Sequence, residues 1–246
     1  LGADCPMPDP LLLLDMDKAV QRVRLAVSRG ERLAVFGDYD VDGVCASAIL
    51  SQWLRSKGAD ARVYLPSRHH EGYGLNEEAI REIAGWAKLM VTVDCGVTSV
   101  ALVDLAKSLG LDVIVTDHHR PAETLPDCPV INPLLNGYPF PALCGAGVAW
   151  KLVCALGGQR AAMEYIDIAA LATVADVVSL TGENRAIVRM GLERINARPR
   201  LGIETLIESA GLTGKRITST TIAFQLAPRL NAGGRIGSAT RSLALI

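Results

Sequence analysis

The chain has 246 residues, of which 50% are hydrophobic, and its formal net charge is −1. This length suits one large domain or two modest ones with their own cores. No apolar run approaches the roughly 18 residues needed to span a bilayer, so we expect no membrane partner. The chain begins at Leu1 and stops at Ile246 within an apparent helix, and we therefore expect a piece of a longer protein.

The cysteines indicate the redox compartment of the protein, and the distribution of charge indicates a class of ligand. None of the six cysteines forms a Cys-x-x-Cys pair, and most lie in apolar runs. This favours reduced core thiols over disulfides or a zinc site and predicts a cytoplasmic protein. From Arg185 to Arg241 there are ten Lys or Arg and three Glu. Such a basic segment suits a polyanion, although a solvated basic helical face has the same composition.

The first 135 residues alternate between strand and helix patterns. After a Pro-rich lead-in, apolar residues at helical spacing predict a helix over Asp15–Arg29. Short apolar runs then alternate with helical segments, which predicts an α/β fold with a doubly wound, mostly parallel sheet. The predicted strands are Leu33–Phe36, Ala61–Leu65, Leu89–Val93, Asp112–Val115 and a short Pro129–Ile131, and the helices between them are Val44–Lys57, Glu77–Trp86 and Ser99–Leu109.

The pattern becomes helical after Asn132, and this helical region is expected either to pack on the sheet or to form a connecting lobe. The sequence thus divides into a lead-in with the first helix (1–30), a parallel α/β domain with a metal site (31–135) and a mostly helical region (136–246). The helices predicted in the last region are Gly145–Leu156, Ala161–Val178, Asn184–Asn196, Gly202–Ala210 and Thr218–Leu230.

The stretch after the first predicted strand is rich in carboxylates. Asp38, Asp40 and Asp42 occupy alternate positions, and alternate residues of an extended backbone project to one side. Three crowded anions repel one another, and a metal ion that prefers oxygen ligands would relieve this. Because parallel strands end at one edge of a sheet, where α/β folds place their chemistry, the stretch predicts a metal site there.

Two further strand ends carry candidate ligands. Asp94 ends the third strand, and Asp117, His118 and His119 follow the fourth. Mixed carboxylate and imidazole ligands suit Mn²⁺, with Mg²⁺ or Zn²⁺ as alternatives, and their number suggests two ions. Taken singly, Asp94 is also consistent with a helix cap and the His pair with a polar turn. Asp117 is also consistent with orienting a His from outside the ligand set.

Candidate contacts to nucleic acid lie mainly near the end of the chain. Arg229, Arg235 and Arg241 recur at six-residue spacing around a predicted Gly-rich turn formed by Gly233, Gly234 and Gly237. Arginine suits phosphate contacts, and glycines let backbone amides approach a phosphate. A helix end followed by a turn is the alternative interpretation. Arg68 is a further backbone contact, and the candidate stacking aromatics are Tyr73, Tyr138, Phe140 and Trp150, the last more typical of a core residue.

Four segments, GDYDVDG, VTVDCG, VTDHH and ATVADVV, resemble the four ordered motifs of the DHH phosphoesterase superfamily. By motif position, the resemblance implies that Asp94 bridges two metal ions and that His119 contacts the scissile phosphate. Only the resemblance singles out Asp176, which otherwise looks like a polar residue in an apolar helix. The ligands that it implies for two Mn²⁺ or Mg²⁺ ions are Asp40, Asp42, Asp94, His118 and Asp176, with Asp38 as a less direct candidate.

A narrower resemblance is to the RecJ-type single-strand DNA exonucleases, through EGYGLN, CGAGVAWKL and LAPRLNAGGRIGSA. It implies that Asn231 and Arg235 lie near the site and that residues 136–246 complete the DHH domain and lead to a further C-terminal part. The sequence departs from the family pattern at Gly233, where Ala is usual, and at Ser179, where Pro is common.

The function implied by this resemblance is a metal-dependent 5′-to-3′ exonuclease of single-stranded DNA in repair and recombination. Two metal ions would activate a water for in-line attack, with His119 and Arg235 stabilising the developing charge. Helicases or single-strand-binding proteins are the implied partners. Two rival hypotheses are a DHH phosphoesterase acting on short oligonucleotides, cyclic dinucleotides or pyrophosphate, and a non-catalytic nucleic-acid-binding relative.

Overall fold

Five parallel strands form one sheet in the order β2-β1-β3-β4-β5. The computed structural model of the chain describes residues 7–66, 74–236 and 239–246, without the side chains of residues 234–236. In the sheet, Leu33 of β1 lies opposite Ala61 of β2 and Leu89 of β3. The predicted doubly wound parallel sheet is therefore confirmed. The strands are β1 Leu33–Phe36, β2 Ala61–Tyr64, β3 Leu89–Val93, β4 Asp112–Thr116 and β5 Val130–Ile131.

Helices cover both faces of this sheet, so the strands are buried on each side. Leu33 and Val35 of β1 face one apolar cluster, and Ala34 and Phe36 face the other, as the two-residue period of a strand requires. The helices of the first half are α1 Met16–Ser28, α2 Val41–Ser56, α3 Glu77–Ala84 and α4 Val100–Ser108. Helices α3 and α4 supply the smaller cluster, whereas α1 and α2 belong to the larger one.

The helical region packs on the sheet and does not form a separate lobe. Helix α5 contacts α2, β3 and β4, and α7 contacts α2, α5 and α8, so the larger apolar cluster is continuous from α1 to the end of the chain. The helices of this region are α5 Gly145–Gly157, α6 Gln159–Ala162, α7 Ile166–Ala175, α8 Gly182–Ala197, α9 Leu201–Ser209, α10 Ser219–Thr221, α11 Ala227–Ile236 and α12 Ala239–Leu245, with a π-helical turn over Ile222–Leu226.

Two predictions for the helical region were wrong. The predicted helix Ala161–Val178 is interrupted by a 3₁₀ turn at Met163–Tyr165 and ends at Ala175. The Gly-rich turn was also misplaced, because Gly233 and Gly234 lie inside α11. A Cβ at position 233 would lie 2.2 Å from Oγ of Ser242. Gly233 therefore serves the close approach of α11 and α12 and does not form a turn.

Other features of the described residues agree with the sequence analysis. Within them, no helix combines the length and the apolar character that a bilayer span needs. The five cysteines in these ranges form no disulfide, and Cys45, Cys95 and Cys144 are buried, which confirms core thiols there. Trp150 is buried as expected for a core residue.

Candidate metal centre

The ends of β1, β3 and β4 bring three buried aspartates to one edge of the sheet. Asp38, Asp94 and Asp117 are each 1% exposed. His118, which follows Asp117, places its Nε2 atom 3.1 Å from Oδ1 of Asp94. Asp176 joins them from the C-terminal end of α7, with its Oδ2 atom 3.9 Å from Nδ1 of His118. The strand-end cluster expected from the sequence is therefore formed.

The carboxylates after β1 are arranged differently from the prediction. Asp40 is the N-cap of α2, and its Oδ1 atom accepts the Gly43 N–H at 2.8 Å. The helix begins at Val41, three residues earlier than predicted, so only Asp38 and Asp40 precede it and Asp42 lies in its first turn. The idea of three side chains alternating along an extended backbone was therefore wrong. Asp42 nevertheless reaches the cluster, with Oδ2 3.7 Å from Nε2 of His118.

Asp94 adopts a backbone conformation that is uncommon for a residue with a side chain. Its φ is +62°, in the left-handed region that costs non-glycine residues energy and occurs often at functional sites. The N-cap position of α4 is occupied by Ser99, not by Asp94, so the helix-cap alternative is wrong. Oδ1 of Asp94 has no hydrogen-bond partner among the described residues.

Asp117 holds the second histidine in place. Its Oδ1 atom lies 2.7 Å from Nδ1 of His119 and accepts the backbone N–H of His118, while Oδ2 accepts the Val97 N–H. Burial tends to raise the pKa of Asp117, but these hydrogen bonds outweigh it and the pKa is lowered. The same contact raises the pKa of His119. Asp117 is thus placed to orient His119, the alternative left open by the sequence.

Among the described residues, two groups of side chains could hold a metal ion. Asp42, His118 and Asp176 form one group, and Asp94, His118 and His119 form the other, with the ligand atoms of each group within 4.8 Å of one another. In the second group, Nδ1 of His119 already contacts Asp117. His118 belongs to both groups.

The electrostatics of the cluster also favour a cation. Burial, followed by the charges of neighbouring aspartates, raises the pKa of Asp94 well above its usual value and that of Asp176 to about 7. The pKa of Asp42 is also raised, first by burial. In the described ranges, no Lys or Arg forms an ion pair with these three residues. Hard carboxylate oxygens with an imidazole fit a divalent ion such as Mn²⁺ or Mg²⁺.

Three of the five candidate nucleic-acid contacts lie on helix α11. Arg229 and Asn231 lie on α11, where Arg229 is exposed and donates to the Gln225 carbonyl at 2.7 Å. Helix α11 contacts α2 and α7, the two helices that carry Asp42 and Asp176. Arg235 is also on α11, but its side chain is not described. Arg68 and Tyr73 lie outside the described residues.

Among the candidate stacking aromatics, Tyr138 is misassigned. It is 4% exposed, and its hydroxyl donates to Oε2 of Glu183 at 2.7 Å. Glu183 in turn pairs with Lys151 inside the protein. Tyr138 thus belongs to a buried polar network and offers no face to a base.

The N terminus of α5 belongs to the site, although the residue types there do not indicate it. Both oxygens of Asp42 accept backbone N–H groups, from Gly145 at 2.6 Å and Ala146 at 2.8 Å. The sequence signal there was the CGAGVAWKL motif, which begins with small residues at the start of a predicted helix. Backbone donors carry no residue-type signature, so the sequence could not assign them to Asp42.

Comparison with known proteins places this geometry in context. Residues 32–175 match the model described as the DHH family, N-terminal domain. The chain is 43% identical over 248 residues to the single-stranded-DNA-specific exonuclease RecJ of Bacillus subtilis, covering 99% of this chain and 31% of that protein. The chain thus spans about a third of the length of this curated relative.

Solved structures show the same likeness. A crystal structure of exonuclease RecJ bound to manganese superposes with a TM-score of 0.89 at 40% identity, covering 97% of this chain and 62% of that chain. RecJ from Thermus thermophilus in complex with Mn²⁺ gives a TM-score of 0.84 at 38% identity, covering 95% and 34%. The Thermus protein has also been solved in complex with Mg²⁺, with a TM-score of 0.71 at 34% identity and coverage of 94% and 31%.

Proposed function

This chain belongs to the DHH family, and on that premise we propose that it is the nucleolytic part of a metal-dependent exonuclease that hydrolyses single-stranded DNA from the 5′ end. The observation that carries the proposal is the largely buried cluster of Asp42, Asp94, His118 and Asp176, in which no Lys or Arg of the described residues forms an ion pair with the carboxylates. The names of the relatives at about 40% identity support the substrate. The 5′-to-3′ polarity and the role in repair and recombination rest on the family resemblance alone.

The proposed ligands of two divalent ions are the motif residues that meet at the sheet edge. They fit because Oδ1 of Asp94 and Oδ2 of Asp176 have no hydrogen-bond partner in the described ranges, and buried charged oxygens without partners are costly. Mn²⁺ is the first candidate and Mg²⁺ the second, as in the solved relatives. When bound, such ions stabilise charge on phosphate oxygens and activate water. The proposed ligands are Asp40, Asp42, Asp94, His118 and Asp176, with Asp38 beside them.

His119 has the features of a contact to the scissile phosphate. Asp117 keeps a proton on Nδ1 of the ring and raises the pKa of His119, which favours the cationic form. The side chain is 46% exposed, so a ligand can reach it. A charge-assisted hydrogen bond from this ring would stabilise negative charge that develops on the phosphate. Asp117 would then act through His119, as a positioning residue.

We assign phosphate and base contacts to Arg68, Tyr73, Arg229, Asn231 and Arg235, supported by the motifs, the basic C-terminal third and the position of α11 against α2 and α7. Helicases and single-strand-binding proteins are the proposed partners, and the cytoplasm the proposed location, which agrees with the free thiols of the described cysteines.

The direct test uses single-stranded oligonucleotides labelled at the 5′ or the 3′ end, with Mn²⁺. We expect mononucleotide release from the 5′ end by this chain or by a version extended at its C terminus. Asp94→Ala should abolish cleavage, whereas Asp104→Ala, which changes an exposed aspartate of α4, should not. Cleavage of short oligonucleotides or cyclic dinucleotides only, with none of long strands, would contradict the proposed substrate.

A further inference from the structure

We propose that Gly145 is a positioning residue of the metal centre, and that the N terminus of α5 fixes Asp42 and Asp94 together because position 145 has no side chain. The inference rests on the proposed metal-binding function of these two aspartates. Gly145 is not itself a proposed ligand, and its role is to set the positions of the two ligands Asp42 and Asp94.

The first contact is with Asp42. The N–H of Gly145 donates to Oδ2 of Asp42 at 2.6 Å, and the N–H of Ala146 donates to Oδ1 at 2.8 Å. With both oxygens held by neighbouring amides of one helix, the carboxylate has a fixed orientation. Each oxygen has a second lone pair, so these bonds leave the carboxylate able to bind a metal ion. Hydrogen bonds of this kind commonly orient metal ligands.

The second contact is with Asp94. A Cβ built on Gly145 would lie 2.5 Å from Cβ of Asp94 and 2.6 Å from its Oδ1 atom, closer than non-bonded atoms approach. The backbone of α5 therefore lies directly against the Asp94 side chain. Oδ1 is also the Asp94 atom nearest to His118. Any side chain at position 145 must displace either Asp94 or the helix.

Helix α5 is not free to move. The N–H of Gly147 donates to Sγ of the N-cap residue Cys144. The first three N–H groups of the helix, those of Gly145, Ala146 and Gly147, therefore each have an acceptor. One turn further, the buried Nζ of Lys151 is bonded to Oε1 of Glu183 at 2.7 Å and to the Pro8 carbonyl at 2.5 Å. Since these contacts hold the helix, a methyl group at position 145 is expected to displace the Asp94 carboxylate.

Gly147 provides a matched control in the same turn. A Cβ there would lie 3.3 Å from Cδ2 of Leu143, and its three nearest atoms belong to Leu143 and Cys144, not to a carboxylate. Gly145→Ala and Gly147→Ala make the same chemical change in the first turn of the same helix. They differ in whether the new methyl group faces Asp94.

The test is a calorimetric titration of the chain and both variants with Mn²⁺, at a temperature where circular dichroism shows each to be folded. We expect Gly145→Ala to bind Mn²⁺ roughly 10- to 100-fold more weakly, the usual effect of disturbing a contact that orients a ligand. Gly147→Ala should bind as the unmodified chain does. Unchanged Mn²⁺ affinity in Gly145→Ala would overturn the inference. If Asp94→Ala also left Mn²⁺ binding unchanged, the proposed function itself would be wrong, so the two failures are distinguishable.

If Gly145→Ala does not fold, hydrogen exchange on the unmodified chain decides. The amides of Gly145 and Ala146 should exchange at least tenfold more slowly when Mn²⁺ is added, because the ion fixes their acceptor, Asp42. Amides of helix α9, which contributes no residue to the proposed metal centre, serve as the internal control. Equal exchange with and without saturating Mn²⁺ over residues 143–148 would contradict the inference.

Discussion

The buried charges of the helical region and those of the sheet edge differ in how they are satisfied. In the helical region, the carboxylate of Asp167 is fully buried and receives Nε and Nη2 of Arg200, each at 2.8 Å. Lys151 and Glu183, each 1% exposed, are paired in the same way. At the sheet edge, Oδ1 of Asp94 and Oδ2 of Asp176 accept no hydrogen bond from a described residue, and their nearest imidazole contacts are with His118, at 3.1 Å and 3.9 Å. The ion pairs within the chain stabilise the packing of its helices, whereas the carboxylate oxygens at the sheet edge remain available to a metal ion.

The largest effect is expected when one partner of a buried ion pair in the helical region is removed. Lys151→Met should lower the free energy of unfolding by about 3–5 kcal/mol, because it leaves Glu183 buried and without its counter-charge. Urea denaturation measures the change. Lys107→Met is the control, since it removes the partner of Asp127 in an exposed pair and should have little effect. A Lys151→Met chain as stable as the original would mean that Glu183 is not dependent on its partner.

The opposite result is expected at the sheet edge. In the presence of a chelator, Asp94→Asn should raise the free energy of unfolding by on the order of 1 kcal/mol or more. Burial and the neighbouring aspartates raise the pKa of the Asp94 carboxyl, which means that its ionised form is unfavourable in the folded chain. Asn does not ionise, so the substitution removes this cost. The same variant should lose its response to Mn²⁺. Chemical denaturation with and without Mn²⁺ measures both. Destabilisation of the metal-free chain would show that Asp94 is structural, like Asp167.

A smaller effect is expected beside Asp176. Val177 is 87% exposed and has a φ of +60°, which is unfavourable for a β-branched residue. Val177→Asn should therefore raise the free energy of unfolding by about 1 kcal/mol, since Asn tolerates this conformation. Thermal unfolding gives the measurement, and Val177→Ile, which keeps the strain, is the control. Equal stability of the two variants would mean that the conformation costs little here.

The strands and the strand-end residues of the metal centre could be predicted from the sequence. The strands were found because runs such as Leu33–Phe36 are buried on both faces and read as continuously apolar. Asp94 and His118 were found because they follow such strands, and parallel strands end at one edge. These are local signals with a fixed geometric consequence.

Features that depend on distant parts of the chain were not predictable in this way. The start of α2 at Val41 depends on Asp40 as a cap, and the place of Gly233 within α11 depends on its contact with Ser242. Asp176 was found only through a motif, because its approach to His118 is set by the packing of α7. The pairing of Lys151 with Glu183, 32 residues apart, has no local signature.

Stabilisation of the chain by Mn²⁺ tests whether the carboxylates at the sheet edge form a metal centre. At a Mn²⁺ concentration 100 times the dissociation constant, the free energy of unfolding should rise by about 2.7 kcal/mol for each site that only the folded chain possesses. Asp94→Ala should lose this stabilisation, and Asp104→Ala should keep it. If Mn²⁺ left the stability of the unmodified chain unchanged, or stabilised Asp94→Ala to the same extent, the carboxylates at the sheet edge would not be the metal centre.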